Sequence, residues 1–151
     1  MEYRVRAVII DKEQILTIER VLSDRTFWVT PGGGAEKEDS NPVQALQREC
    51  LEEINAKIEV GKFIWRRNFK GYIELFYLAK IISDRVGKGN GPEYTQPDKY
   101  SGTHEPKWIK IEQLKNILFY PEKLKEMILH AYEESKNGTK WENIDWGSLP
   151  R

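Results

Sequence analysis

A proline followed by three glycines, Pro31-Gly32-Gly33-Gly34, interrupts the strand-rich start of this chain. Glycine has no Cβ and the most backbone freedom to lose, so the run predicts an irregular segment that a ligand or metal can approach closely. A helix with clear punctuation follows. Asn41 is a good N-cap, Pro42 suits the first helical position and Gln44 completes a capping-box-like pair. Val43, Leu46, Cys50 and Ile54 recur at spacings of three and four, which predicts one apolar face, and Asn55 is a left-handed stop.

The same helix carries Glu49, Glu52 and Glu53 on a second face, with Ala45 beside them. Three carboxylates this close repel one another unless a cation sits among them. A hard divalent cation such as Mg²⁺ fits, because it takes oxygen ligands and keeps waters for a phosphate substrate. Acidic helix faces usually just meet water. The glycine run a short, fixed distance upstream is what favours a ligand site here.

Elsewhere the pattern alternates strands with little helix. Tyr3–Ile10 and Gln14–Arg20 read as a hairpin about Asp11-Lys12-Glu13, and Phe27–Val29 as a short strand. Ile58–Trp65 and Tyr72–Ile82 form a second hairpin with its turn at Lys70-Gly71. Lys107–Ile111 is a strand, Glu112–Asn116 a helical turn, and Pro121–Lys136 a helix stopped by Asn137-Gly138. The tail, with Trp141 and Trp146, is expected to dock. The Gly/Pro/polar stretch Ser83–Thr103 is long for a connection in a compact domain, which suggests a substrate lid. The expectation is a single domain over residues 1–151, either α+β or an αβα sandwich.

Charge narrows the function. Lys plus Arg and Asp plus Glu are each 24 of 151 residues, for a net charge of zero. That argues against a dedicated nucleic-acid binder or a polybasic membrane-surface protein, so no membrane and no stable nucleic-acid partner is expected. The one cysteine, Cys50, cannot form an internal disulfide, and the early apolar stretch Ala7–Ile10 is too short for a leader or a span. These features predict a soluble, cytoplasmic protein.

Residues 34–56 resemble the Nudix box of the MutT-like Nudix hydrolases, G-x5-E-x7-R-E-U-x-E-E-x-G-U, where U is a bulky aliphatic. Gly34 fits the opening glycine and Arg48-Glu49-Cys50-Leu51-Glu52-Glu53-Ile54 the core. Trp28–Gly33 resembles the family's lead-in, and Glu105–Ile109 followed by Leu114 its later strand. Three positions depart from the pattern. Ser40 stands where the box has its first Glu, which leaves open the partner of Arg48, although Glu36, Glu38 and Asp39 lie just upstream. Asn55 replaces the box glycine, and Ala56 is smaller than the usual aliphatic.

The resemblance implies a Nudix-type fold, an αβα sandwich with a mixed β-sheet, and hydrolysis of a diphosphate bond in a nucleoside diphosphate derivative: a nucleoside triphosphate, dinucleoside polyphosphate or nucleotide sugar. It implies Mg²⁺ or Mn²⁺ held by Glu49, Glu52 and Glu53 with the Gly34 carbonyl, and it admits a homodimer. Arg48 belongs to the catalytic set, and Glu52 or Glu105 is the base. Gly33, Gly34, Arg66, Arg67 and Tyr72 are the substrate-binding candidates, the arginines forming a basic-aromatic cluster with Trp65, Phe69 and Lys70. The arginines are more simply read as the polar end of a hairpin, and Tyr72 is also a good strand residue. The absence of proline from Val43 to Gly91 leans away from ADP-ribose. Trp28, Trp108 and Cys50 read as packing residues, His104 as a candidate phosphate contact, and His130 as uninvolved. Two other readings stay open: a nucleotide-binding Nudix domain without catalysis, and an acidic-helix interaction module without metal.

Overall fold

A computed structural model describes residues 2–83, 85–95 and 102–151. Among these described residues are seven strands, β1 (Tyr3–Asp11), β2 (Gln14–Val21), β3 (Thr26–Val29), β4 (Gly32–Gly34), β5 (Ile58–Phe69), β6 (Tyr72–Ile81) and β7 (Glu105–Lys110), and three α-helices, α1 (Pro42–Ile54), α2 (Pro92–Thr95) and α3 (Glu122–Lys136).

The sheet is mixed, in the order β3-β2-β1-β6-β5, with β4 also on β1 and β7 also on β2. β1 serves three partners along its length, β6, β2 and β4. Tyr3–Ile9 runs parallel to Ile73–Ala79, whereas Ile10 and Asp11 turn back onto Ile15 and Gln14 of β2. Period-two alternation on β1 then feeds two cores. Val5, Ala7 and Ile9 pack with Leu46, Cys50 and Ile54 of α1, while Val8 packs with Phe76 and with Leu124, Met127 and Ile128 of α3. Helices on opposite faces of one mixed sheet make the expected αβα sandwich. Trp28 and Trp108 pack against the two cores, and Cys50 is fully buried, as expected. The tail docks as well: Trp146 is 1% exposed, and Lys62 on β5 donates to the Ile144 carbonyl at 2.7 Å.

Several boundaries differ from expectation. Gly32–Gly34 is not irregular but a short strand, antiparallel to Arg4–Arg6. Only glycine permits it: Gly32 has φ +151°, and a Cβ there would overlap the Val5 carbonyl oxygen. Val43 lies outside the buried stripe of α1, and the buried Ala45 takes its place. β5 continues to Phe69, so the basic-aromatic cluster is part of a strand. From the long loop, residues 85–95 pack against the end of α1, whereas residues 84 and 96–101 lie outside the described residues. No helix among the described residues is long and apolar enough to cross a membrane.

Phe76 is fully buried at the junction of β6 and α3. Phe76→Ala should therefore lower unfolding free energy by about 3–5 kcal/mol, measured by urea denaturation. A loss below about 1 kcal/mol would show that this core collapses to fill the cavity.

Candidate active site

Local chemistry sets the register of α1. The Asn41 side chain accepts from the Gln44 N–H at 2.8 Å, and Pro42 stands at the helix start. Asn55 ends the helix in the left-handed conformation at φ 52°. The glutamate face is thereby presented to β4. A Cβ at Gly33 would overlap the Glu49 carboxylate, so that glycine lets the side chain lie against bare backbone.

Arg48 is the hub. Its Nε and Nη2 donate to the two Asp39 oxygens at 3.0 and 2.9 Å, a bidentate pair. Nη2 also donates to the Gly34 carbonyl at 3.0 Å, while Nη1 donates to Glu49 and Glu52 at 3.0 and 3.1 Å. Asp39 therefore fills the role that Ser40 cannot, shifted by one residue. The hydrogen bonds that Arg48 donates hold the Asp39 carboxyl below its ordinary value, and their acceptance by Asp39 is the first cause that keeps Arg48 firmly charged.

The other carboxylates feel burial more. Glu53 is 7% exposed, with Oε1 accepting the Gly32 N–H at 2.9 Å. Burial pushes its carboxyl up to about 8, against the opposing charge of Arg6. Glu49 is also raised by burial, with Arg48 offsetting part of the effect. Among the described residues, no three acidic, His or Cys side chains already stand together as a ready metal cage. Arg48 holds Glu49 and Glu52 in its own bonds.

Glu105 lies at the start of β7 and pairs with Lys88 at 3.0 Å rather than with the hub. The acidic residue that sequence reading missed is Glu93 on α2. It is half-buried and raised by burial, then by the charge of Glu52, and both Glu49 and Glu53 register its charge in turn. It sits in the long loop, where no local periodicity marks it. His104 contacts the Tyr94 ring, and burial together with Arg20 lowers it to about 4.

The substrate candidates divide. Arg66 and Arg67 pair with Leu75 and Glu74, so strand alternation puts them on opposite faces. Arg66 is exposed. Arg67 donates to the 3%-exposed Glu74 at 2.7 Å, its guanidinium also lying 4.0 Å over the Phe69 ring. Arg6 donates to the same carboxylate at 3.0 Å. Burial alone would raise Glu74, but Arg6 and Arg67 outweigh it and hold the group charged. This network was not legible beforehand because its members lie far apart in sequence. Tyr72 is half-buried at the β5–β6 turn.

Comparison with known proteins agrees with this geometry. The NUDIX domain model matches residues 2–141. Curated relatives include an RNA pyrophosphohydrolase of Pelagibacter ubique, 22% identical over 90% of this chain and 89% of its own length. Another, from Orientia tsutsugamushi (strain Boryong), is 25% identical over 87% of this chain and 91% of its own. Among solved structures, a NUDIX hydrolase from Nitrosomonas europaea superposes with TM-score 0.66 at 20% identity, covering 91% of this chain and 73% of that one. A structure described for MutT from Aliivibrio salmonicida and Vibrio cholerae superposes with TM-score 0.61 at 21% identity, covering 84% and 95%. The chain belongs to the NUDIX family.

The Arg48–Asp39 pair carries a pH signature. Because Asp39 is lowered in the folded protein, its stabilisation is complete above about pH 4, the ordinary aspartate value, and is lost as pH falls through the depressed folded value. Asp39→Asn should lower unfolding free energy by about 1–3 kcal/mol near neutral pH. In urea melts, the gap to wild type should shrink below about pH 4. A gap constant from neutral to acid would contradict this assignment.

Proposed function

We propose that this chain, acting as a single domain, hydrolyses the diphosphate linkage of a nucleoside diphosphate derivative with the help of Mg²⁺ or Mn²⁺. The observation that carries the reading is the face of α1 turned to the glycine strand: Glu49, Glu52 and Glu53, with Arg48 tying Gly34 and Asp39 to them. Nucleoside triphosphates, dinucleoside polyphosphates and nucleotide sugars are all within the class. The curated relatives named RNA pyrophosphohydrolases add a 5′-triphosphorylated RNA end to the substrates worth testing.

The donor set fits a hard divalent cation. It is all oxygen, and two of its carboxylates carry a burial cost that a cation would relieve. Glu49, Glu52, Glu53 and the Gly34 carbonyl would hold the ion. When bound, it would neutralise phosphate charge and activate a water. Arg48 would give up Glu49 and Glu52 to that role and keep its hold on the loop through Asp39. Gly33 and Gly34 let a phosphate approach backbone unhindered. Glu52 is the first candidate to take the proton from the attacking water. Glu93 is a second, favoured over Glu105 because it interacts electrostatically with the helix carboxylates. Arg66, Arg67, set against Phe69, and Tyr72 remain candidates for the nucleotide side, with strand alternation placing the two arginines on opposite faces of the sheet.

The test is phosphate or pyrophosphate release from this panel with Mg²⁺ or Mn²⁺, with and without EDTA. Glu53→Gln should reduce metal-dependent turnover about a hundredfold or more. Its melting temperature should stay about level near neutral pH, because a carboxyl raised to about 8 is already mostly neutral there and a neutral amide matches it, and should rise relative to wild type above about pH 8, where Glu53 carries a buried charge. A normally folded Glu53→Gln variant with full activity would overturn the metal assignment. Metal binding with no turnover of any panel member would favour the non-catalytic nucleotide-binding alternative.

A further inference from the structure

Beyond the carboxylate face, the C-terminal end of α1 opens into a cleft of about 620 Å³. Arg48, Glu52 and Asn55 line one side, and Lys88, Gly89 and Asn90 the other. A helix C-terminus is a poor place for an anion, because its last carbonyls are unpaired and the dipole is negative there. In this chain those carbonyls are covered. The N–H groups of Gly87, Gly89 and Gly91 donate to Ile54, Glu53 and Glu52 at 2.9, 3.3 and 3.0 Å, and the Tyr94 hydroxyl donates to Glu53 at 2.6 Å. Gly89 is obligatory, because a Cβ would overlap the Glu52 carbonyl. The alternating glycines thus lay the segment flat on the helix end and place Lys88 in the cleft wall.

Lys88 Nζ pairs with Glu105 of β7, which lies outside the cleft lining, at 3.0 Å, the two side chains 56% and 43% exposed. Exposed pairs of this kind contribute little and exchange readily. A phosphate oxygen offers a lysine a strongly charged acceptor.

We propose that this cleft is a phosphate subsite for the part of the substrate beyond the scissile linkage, with Lys88 as its cation and Glu105 as the counterion that phosphate displaces. Asn55 and Asn90 supply neutral amides at its rim, suited to sugar hydroxyls. The inference rests on the hydrolase reading for the identity of the ligand, but its test does not require turnover.

The experiment is calorimetric titration of inorganic pyrophosphate into the full chain in EDTA. Lys88→Ala should weaken binding about tenfold, the scale of a hydrogen bond to a charged group. Lys88→Arg should retain most of the affinity, and Glu105→Gln should tighten binding by freeing Lys88. Equal affinity of Lys88→Ala and wild type, no tightening in Glu105→Gln, or no binding by either wild type or Glu105→Gln would overturn the subsite. A Glu53→Gln variant that still hydrolyses nucleotides would overturn the metal reading instead, and leaves this binding result to stand on its own.

Discussion

One guanidinium ties three pieces of the molecule together. Arg48 projects from α1, grips Asp39 in the loop that precedes the helix, holds the Gly34 carbonyl of β4 and steadies Glu49 and Glu52. Without it, the loop, the glycine strand and the acidic face would have no common anchor, and the carboxylates would repel one another. The bidentate fork matters because it fixes direction as well as charge. Arg48 therefore sets the distance between β4 and the helix face on which the proposed chemistry depends.

The glycine strand answers this constraint from the other side. Gly32 passes the Val5 carbonyl, and Gly33 makes room for the Glu49 carboxylate. Gly32 also supplies the N–H that Glu53 accepts. The helix can then press close enough to bury Glu53 while its aliphatic side joins the core beneath. Stability lies in the two apolar cores on either side of the sheet, and the cost of burying carboxylates is concentrated where α1 faces β4. That separation lets a carboxylate raised to about 8 persist in a folded protein.

Much of this was legible in the sequence because the signals are local. Asn41-Pro42 marked the helix start, Asn55 its end, and i, i+3, i+4 spacing the glutamate face, and each holds in the structure. The hairpin strands followed from β-branched and aromatic runs. The misses share a cause, namely dependence on partners distant in sequence. Gly32–Gly34 becomes a strand because Arg4–Arg6 offers an edge, which no local propensity reports. Asp39 rather than Ser40 meets Arg48 because the loop's path, not residue count, decides the register. Glu93 reaches the helix face only because three glycines in a long loop lie against the end of α1. The Arg6–Glu74–Arg67 network joins three strands. Arg66 and Arg67 look like one basic patch in sequence, and strand alternation separates them.

The central claim is that the face of α1 opposite β4 is where a divalent cation binds. The most direct measurement is Mn²⁺ titration of ¹⁵N-labelled protein, following the broadening of backbone amide signals. Broadening centred on Gly33, Gly34, Glu49, Glu52 and Glu53, reversed by EDTA and greatly weakened in Glu53→Gln, is the predicted result. Broadening centred elsewhere, or none at millimolar Mn²⁺, would contradict the account.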